Sequence, residues 1–477
     1  MLVKEVFSQK ETRNIDKIYK DLVTILSPRK VSKKFVDLVS YSHDYWPISL
    51  LWFLEGRLPA LPDIVVFPES TEDVVKVVKY AYENNIPIYP YGGGTGVLGG
   101  AVPEYGGIVI DTKRLRHIKI FKEDLYVEVG AGINGMILET YLNKEGYTLG
   151  HFPQSLYAST VGGWISTKAI GQFSTKYGGI EDMLLGLEAV LPTGEVLLLR
   201  PDPRAAIGPD LKKLFIEAEG LFGIVTKAYL KIHPYPRKRI FISFASETLE
   251  DALNSVRNIL WRGARPAVIR IYDKVETLKW FHMKKKAKGK IGTIIILEGD
   301  EKLVEAEKQI VEEEFSNAEP MGEEPVKYWL DKRFDVRELP EYAPLGIVID
   351  TIEVAIPWSK AVALYNDVIN AIRGVEGTLI AYAHASHFYS QGVCFYFIFG
   401  GLPPKGSSPT EYYEKVWKAA MEATLKHGGA ISHHHGIGRM RAKWIKEYLG
   451  DTAMNILKKI KRAIDNKAIL NRGNMGV

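Results

Sequence analysis

Two glycine-dense segments, about seventy residues apart, constrain this chain more than any other feature. The first reads Tyr89-Pro90-Tyr91-Gly92-Gly93-Gly94-Thr95-Gly96 and continues to Gly99-Gly100. The second reads Ser159-Thr160-Val161-Gly162-Gly163-Trp164-Ile165-Ser166-Thr167. Each follows an apolar stretch, and each can bring bare backbone N–H groups close to an anion. Gly92–Gly96 lacks the Lys-Ser/Thr of a nucleotide-binding P-loop, and it lacks the spacing of a GxGxxG dinucleotide turn. Taken singly, such a segment fits a tight turn that needs positive φ equally well. Taken together, the two predict one pyrophosphate-bearing cofactor gripped from both sides.

The surrounding pattern is α/β. Ile64-Val65-Val66-Phe67 reads as a strand, and Ser70 with Asp73 opens a helix carrying Val74, Val75, Val77, Val78 and Ala81. A strand from Ile86 to Tyr91 contains two prolines, so it is expected to end at a sheet edge or at the glycine loop itself. His233-Pro234-Tyr235-Pro236 marks a boundary, beyond which the rhythm is that of an antiparallel α+β domain. At 477 residues the chain is too long for a single core. The expected division is an N-terminal helical segment (1–55), a cofactor domain (56–236), a substrate or cap domain (237–430) and a C-terminal segment (431–477) that completes the active site.

No run of eighteen apolar residues is present, and Met1 to Lys10 has no apolar core, so neither a membrane span nor a signal peptide is expected. The one cysteine, Cys394, excludes an internal disulfide framework and fits the cytoplasm. A net charge of +5 argues for an anionic small molecule and against nucleic acid. Abundant Lys, Glu, Ile and Tyr with scarce Gln resembles a thermophile's composition. Lys284-Lys285-Lys286, with Lys288 and Lys290, is either a solvated loop or a contact for anionic lipid at a membrane surface.

The second constellation is Ser432-His433-His434-His435-Gly436-Ile437-Gly438-Arg439. Consecutive side chains diverge on a helix or strand, so no metal site is expected from the three histidines. They fit either a surface cluster or imidazoles poised near neutral pH for proton transfer in a glycine-rich turn, and catalysis is the expectation.

Residues 40–235 resemble the FAD-binding domain of the vanillyl-alcohol-oxidase superfamily, also called p-cresol-methylhydroxylase type. The resemblance runs through Pro62-Asp63, Val66-Phe67-Pro68, Gly92–Gly100, Gly107 to Asp111, Thr160 to Gly163, Gly171, Tyr177-Gly178, Ile180-Glu181-Asp182, Pro192-Thr193-Gly194, Glu219-Gly220 and Gly223-Ile224. It implies an α+β fold: a two-part FAD-binding domain, a cap domain on an antiparallel sheet, and a C-terminal segment returning to the flavin. It implies FAD contacts from Pro90, Gly92, Gly93, Gly94, Thr95, Gly96, Pro153, Ser155, Thr160, Gly162, Gly163, Ser166, Glu219, Gly223, Ile224 and Asn471. Flavinylated relatives carry a His or Cys in the first loop. Residues 89–100 have neither, so the FAD is expected to be non-covalent.

The C-terminal half resembles the alkylglycerone-phosphate synthases, through His433–His435, Gly436, Gly438, Lys443-Trp444, Phe388-Tyr389, Gly392, Cys394, Tyr396-Phe397 and Asn471-Arg472. That resemblance implies Tyr389, His433, His434 and His435 as acid/base residues and Arg270 and Arg337 as holders of the substrate phosphate. It also implies exchange of an acyl for an alkyl chain on a dihydroxyacetone-phosphate-type substrate at flavin N5, in a homodimer. Val97 to Pro103 is more similar to D-lactate and glycolate dehydrogenases, so a D-2-hydroxyacid dehydrogenase is the alternative, and a flavin subunit of an electron-transfer complex the second. Those dehydrogenases carry a carboxylate where this chain has His434, and an HxGDGNxH metal segment where it has His384-Ala385-Ser386-His387.

Overall fold

The first glycine loop leaves an edge strand, as the prolines in its approach require. In the computed structural model, which describes residues 4–7, 11–281, 287–336 and 341–477, strands β1 (Val31–Ser32), β2 (Ile64–Val66), β3 (Ile88–Tyr91) and β4 (Ile108–Asp111) form a sheet in the order β1-β2-β4-β3. Pro90 lacks an N–H for a ladder, and β3 lies outermost. Its free edge is closed by the C-terminal stretch: Ile88 N–H donates to Ile469 O, and Asn471 N–H donates to Ile88 O. Helix Thr71–Glu83 covers the sheet, with Ser70 Oγ accepting the Asp73 N–H as its cap. Val74, Val77, Val78 and Ala81 are buried on one helical face, each valine contributing about 1.5–3 kcal/mol. Residues 1–55, expected as a helical segment before the domain, supply β1 to this sheet. A two-residue strand carries too short a pattern to be seen as a period.

The second half of this domain is an antiparallel sheet of β5 (Ile118–Phe121), β6 (Tyr126–Gly130), β7 (Leu184–Val190), β8 (Val196–Leu199) and β9 (Ile224–Lys231), in the order β8-β7-β9-β6-β5. The helices Gly135–Lys144 and Val161–Thr167 lie in the connection between β6 and β7, and the second glycine segment forms the start of the latter.

The cap domain is a seven-stranded sheet of β10 (Lys238–Ser246), β11 (Val268–Tyr272), β12 (Ile291–Gly299), β13 (Glu319–Pro320), β14 (Val348–Pro357), β15 (Thr378–Phe388) and β16 (Gly392–Gly401), in the order β13-β10-β12-β11-β15-β16-β14. Its register assembles the site. One rung across four strands joins Tyr272, His384, Tyr396 and Glu353; the next but one joins Arg270, Ser386, Cys394 and Ala355. Partners across a ladder and residues two apart share a face, so both rungs point the same way. A bulge between Ser386 and Phe388 adds His387, at φ 56°, to the strand end. Ala430 then bridges to Ala355 on the outer strand and carries residues 431–435 onto this face. Among the described residues no helix is long and apolar enough to cross a membrane.

Candidate functional site

Residues 432–438 form neither helix nor strand, and two buried carboxylates hold them in place. Glu353 Oε1 accepts the N–H groups of His433 (3.1 Å), His434 (3.0 Å) and His435 (2.8 Å), together with Ser432 Oγ–H (3.1 Å). Arg441, fully buried, donates to Glu353 through both Nη atoms and also to Gly436 O. Burial pushes the Glu353 carboxyl up, but Arg441 and the neighbouring histidines outweigh it and hold it well below the usual carboxylate range. Glu219 does the same for the rest of the turn, accepting the Ile437 and Gly438 N–H groups and Asn474 Nδ2.

Anchoring by Glu353 makes adjacent imidazoles converge. Tyr389 Oη lies 2.7 Å from His433 Nε2, and His433 Nδ1 lies 2.9 Å from His434 Nδ1. A neutral chain satisfies both contacts: Tyr389 O–H donates to His433 Nε2, and His433 Nδ1–H donates to His434 Nδ1. Burial pushes His433 down to about 4 and His434 well below its usual value, so both are neutral at pH 7. Tyr389 is 41% exposed, so the outer end of the chain is open to a substrate. His387 stacks on His433 with ring centres 5.3 Å apart, and its Nδ1 lies 2.8 Å from Ser174 Oγ.

Arg270 stands on the same face. Its Nε donates to Tyr272 Oη (3.0 Å), and its Nη2 lies 2.6 Å from His384 Nε2. His384 Nδ1 is 2.9 Å from Glu276 Oε2, which fixes the tautomer that accepts from the guanidinium. Arg270 is therefore a fixed cation on this face. Arg337, the other arginine expected at the phosphate, lies outside the described residues, as do Lys284, Lys285 and Lys286.

The two glycine segments meet. A Cβ on Gly92 would stand 2.4 Å from Thr160 Oγ1, and one on Gly93 would stand 2.1 Å from Ala158 O. Gly94 has φ 65°. Among the described residues, the N–H groups of Gly92, Gly93, Gly94, Thr95 and Gly96 donate to no protein acceptor. The second segment differs: Gly162 N–H donates to Ala131 O, and Gly163 N–H reaches Thr160 Oγ1 at 3.4 Å. Comparison with known families matches residues 62–200 to a FAD binding domain and 235–475 to the C-terminal domain of FAD linked oxidases. The chain belongs to the FAD-linked oxidases. It is 30% identical to an alkyldihydroxyacetonephosphate synthase of Caenorhabditis elegans, over 95% of this chain and 83% of that protein. It is 27% identical to a mitochondrial D-lactate dehydrogenase of Arabidopsis thaliana, over 87% of this chain and 73% of that one. A solved alkyldihydroxyacetonephosphate synthase structure superposes with a TM-score of 0.83 at 26% identity, covering 99% of this chain and 87% of that chain. The two-part FAD-binding fold and antiparallel cap expected from the sequence are therefore the fold of this protein.

The residues present fit FAD. The unpaired N–H groups of the first loop suit a pyrophosphate, and the buried Asn471 Oδ1 has no protein partner. Asn471 Nδ2 is committed to Gly100 O and Glu219 O. Pro153 O and Ser155 O accept from residues 156, 158 and 159, Ser166 O accepts from Glu219 N–H, and Pro90 lies against Gly220. Gly223 is closed in by Phe215, and Ile224 opens β9. Gly93→Ala is expected to force the two segments apart, because the obstacle is backbone. Overpacking of this kind costs about 1–3 kcal/mol, so FAD affinity falls about tenfold or more, measured by recovery of free-flavin fluorescence on dilution.

The expectation that neighbouring histidines diverge does not hold in this turn, because the carboxylate, not a regular element, sets their direction. Among the described residues, Cys394 Sγ and ring nitrogens of His433 and His434 lie within 4.8 Å of one another, a donor set able to take a soft metal ion. Arg441, Asn474 and Glu276 escaped sequence reading, since each acts through a partner hundreds of residues away or on another element. His433 gives a pH test. Its folded pKa lies below its unfolded value near 6.5, so its contribution to stability is complete above pH 6.5 and is lost as pH falls toward 4. Asp44 and Asp350, which burial pushes up to about 7, run the opposite way. The comparison is therefore differential: the urea stability of His433→Asn relative to the parent should rise by about 2 kcal/mol between pH 7 and pH 5.

Proposed function

We propose that this protein exchanges chains on a phosphorylated keto-ester, releasing a carboxylate and taking up a long-chain alcohol, with no net redox change. The observation that carries this reading is the Tyr389–His433–His434 relay, open at Tyr389 and neutral throughout, on the face of the cap sheet that also carries Arg270. A proton next to the ketone must leave and later return. A phenol backed by two neutral imidazoles can hold it in either direction. Arg270, its direction fixed by Tyr272 and His384, suits a phosphate oxygen. In the exchange, the C–O bond to the acyloxy group breaks, the carboxylate departs, and the alcohol oxygen forms the new C–O bond. FAD, when bound, supplies the electron-accepting centre on which such an exchange depends, and the loop Gly92–Gly96 holds it without a covalent bond. Acid precipitation should accordingly leave the flavin in solution.

The metal-capable set of Cys394, His433 and His434 favours a second reading, oxidation of a D-2-hydroxy acid. In that case Arg270 would hold the carboxylate and a histidine would take the hydroxyl proton. An anaerobic assay separates the two. Acyl-dihydroxyacetone phosphate with a long-chain alcohol should release fatty acid with no external electron acceptor. Bleaching of the flavin by D-lactate, glycolate or D-2-hydroxyglutarate, with turnover to a dye and no exchange, would replace the first reading with the second.

A further inference from the structure

A cavity of about 240 Å³ lies between the helix Gly135–Lys144, β10 and the end of the helix Glu324–Lys332. It shares no lining residue with the Tyr389 and histidine cluster. Met136, Leu156, Phe241 and Leu330 give it apolar walls, and Arg333 puts a cation into them.

Among the described residues, Arg333 has no counter-ion. Its guanidinium carbon stands 5.2, 5.1, 5.7 and 4.6 Å from the ring centres of Phe152, Phe173, Trp329 and Phe334. Its Nε and Nη1 are buried without an acceptor, and no carboxylate among the described residues forms an ion pair with it. The charged groups nearby are engaged elsewhere. Arg239 pairs with Glu298 at 2.6 Å, and Glu298 also accepts from Tyr177. Glu139 accepts from Thr148, Asn143 and the Leu149 N–H. Burial first, and then repulsion from Arg239, push Arg333 down to about 10, so it stays charged at neutral pH. Four aromatic rings offset only part of the cost of dehydrating a guanidinium, and the hydrogen-bonding capacity of Nε and Nη1 stays unmet.

We propose that this cavity binds a carboxylate with a short apolar body, its head on Arg333 and its body against the aromatic and aliphatic walls. The inference holds whichever reaction the flavin site performs. The probe is octanoate, titrated by calorimetry into the FAD-loaded protein, with octan-1-ol as the uncharged control. Octanoate should bind and octan-1-ol should bind at least about tenfold more weakly, because only the former meets the guanidinium. Arg333→Gln should weaken octanoate by about tenfold or more while leaving FAD content unchanged. Thr140→Phe, on an exposed lining position, should block the cavity with Arg333 intact, and so tests the site if Arg333→Gln fails to fold. Tyr389→Phe should leave octanoate binding untouched. No octanoate heat, equal binding of alcohol and acid, or undiminished binding in both cavity variants would overturn the proposal. Binding lost in Tyr389→Phe and retained in Arg333→Gln would place the acid in the flavin site, overturning this inference and leaving the proposed reaction standing.

Discussion

Glu353→Gln is expected to destabilise the protein by about 3–5 kcal/mol and to abolish turnover at the same time. The carboxylate sits between a fully buried guanidinium and three consecutive N–H groups. A glutamine keeps one acceptor oxygen but turns an NH₂ toward Arg441, and it removes the only carboxylate that pairs with Arg441 among the described residues. The remaining acceptors of Arg441, such as Gly436 O and Ser432 Oγ, are neutral. The cost is that of an uncompensated buried charge, which exceeds the net worth of the intact pair. Arg441→Met alone should be costly for the mirror-image reason. The double variant Glu353→Gln/Arg441→Met should be less destabilised than the sum of the singles, since neither buried charge is then left alone. Unfolding midpoints of the three variants, together with flavin content, check this. Additive losses would mean that the pair is not the anchor of the histidine turn.

The sequence shows the cofactor half of this molecule well because its signals are local. Successive glycines at Gly92–Gly94 report a close approach of backbone to something else, and the partner turns out to be Thr160 and Ala158 of the other glycine segment. The edge position of β3 agrees with Pro90, which has no N–H to donate to a further strand. The catalytic face is less legible because it is made by register. Nothing in the spacing of residues 270, 353, 384 and 396 says that they share two same-facing rungs of one sheet. The glycine-rich turn points to proton chemistry at His433 and His434, yet their mutual contact depends on Glu353, which lies 80 residues from His433. Convergence of neighbouring side chains in an irregular segment has no sequence period to announce it. Arg441 follows the turn closely but reads as one basic residue among many. Only its complete burial beside Glu353 sets it apart.

The same geometry sets the largest kinetic effect. Tyr389→Phe should lower kcat/KM by about 10²–10⁴-fold on whichever substrate the anaerobic assay identifies, with the FAD still bound, because the phenol is the exposed end of the relay. His433→Ala removes the next link and should cost a similar factor. The double variant discriminates between a relay and two separate contributions. In a relay a proton must pass both links, so breaking either disables the whole, and Tyr389→Phe/His433→Ala should be about as slow as the worse single variant. If the two groups act independently, for instance Tyr389 as a hydrogen-bond donor to substrate and His433 as packing for His387, the losses multiply. The pH profile supplies an independent check. His433 is held neutral down to about 4, so it should contribute no titration to kcat/KM between pH 5 and 8. A limb in that range that vanished in His433→Ala would show that the imidazole works as a charged group, and the neutral relay would be wrong.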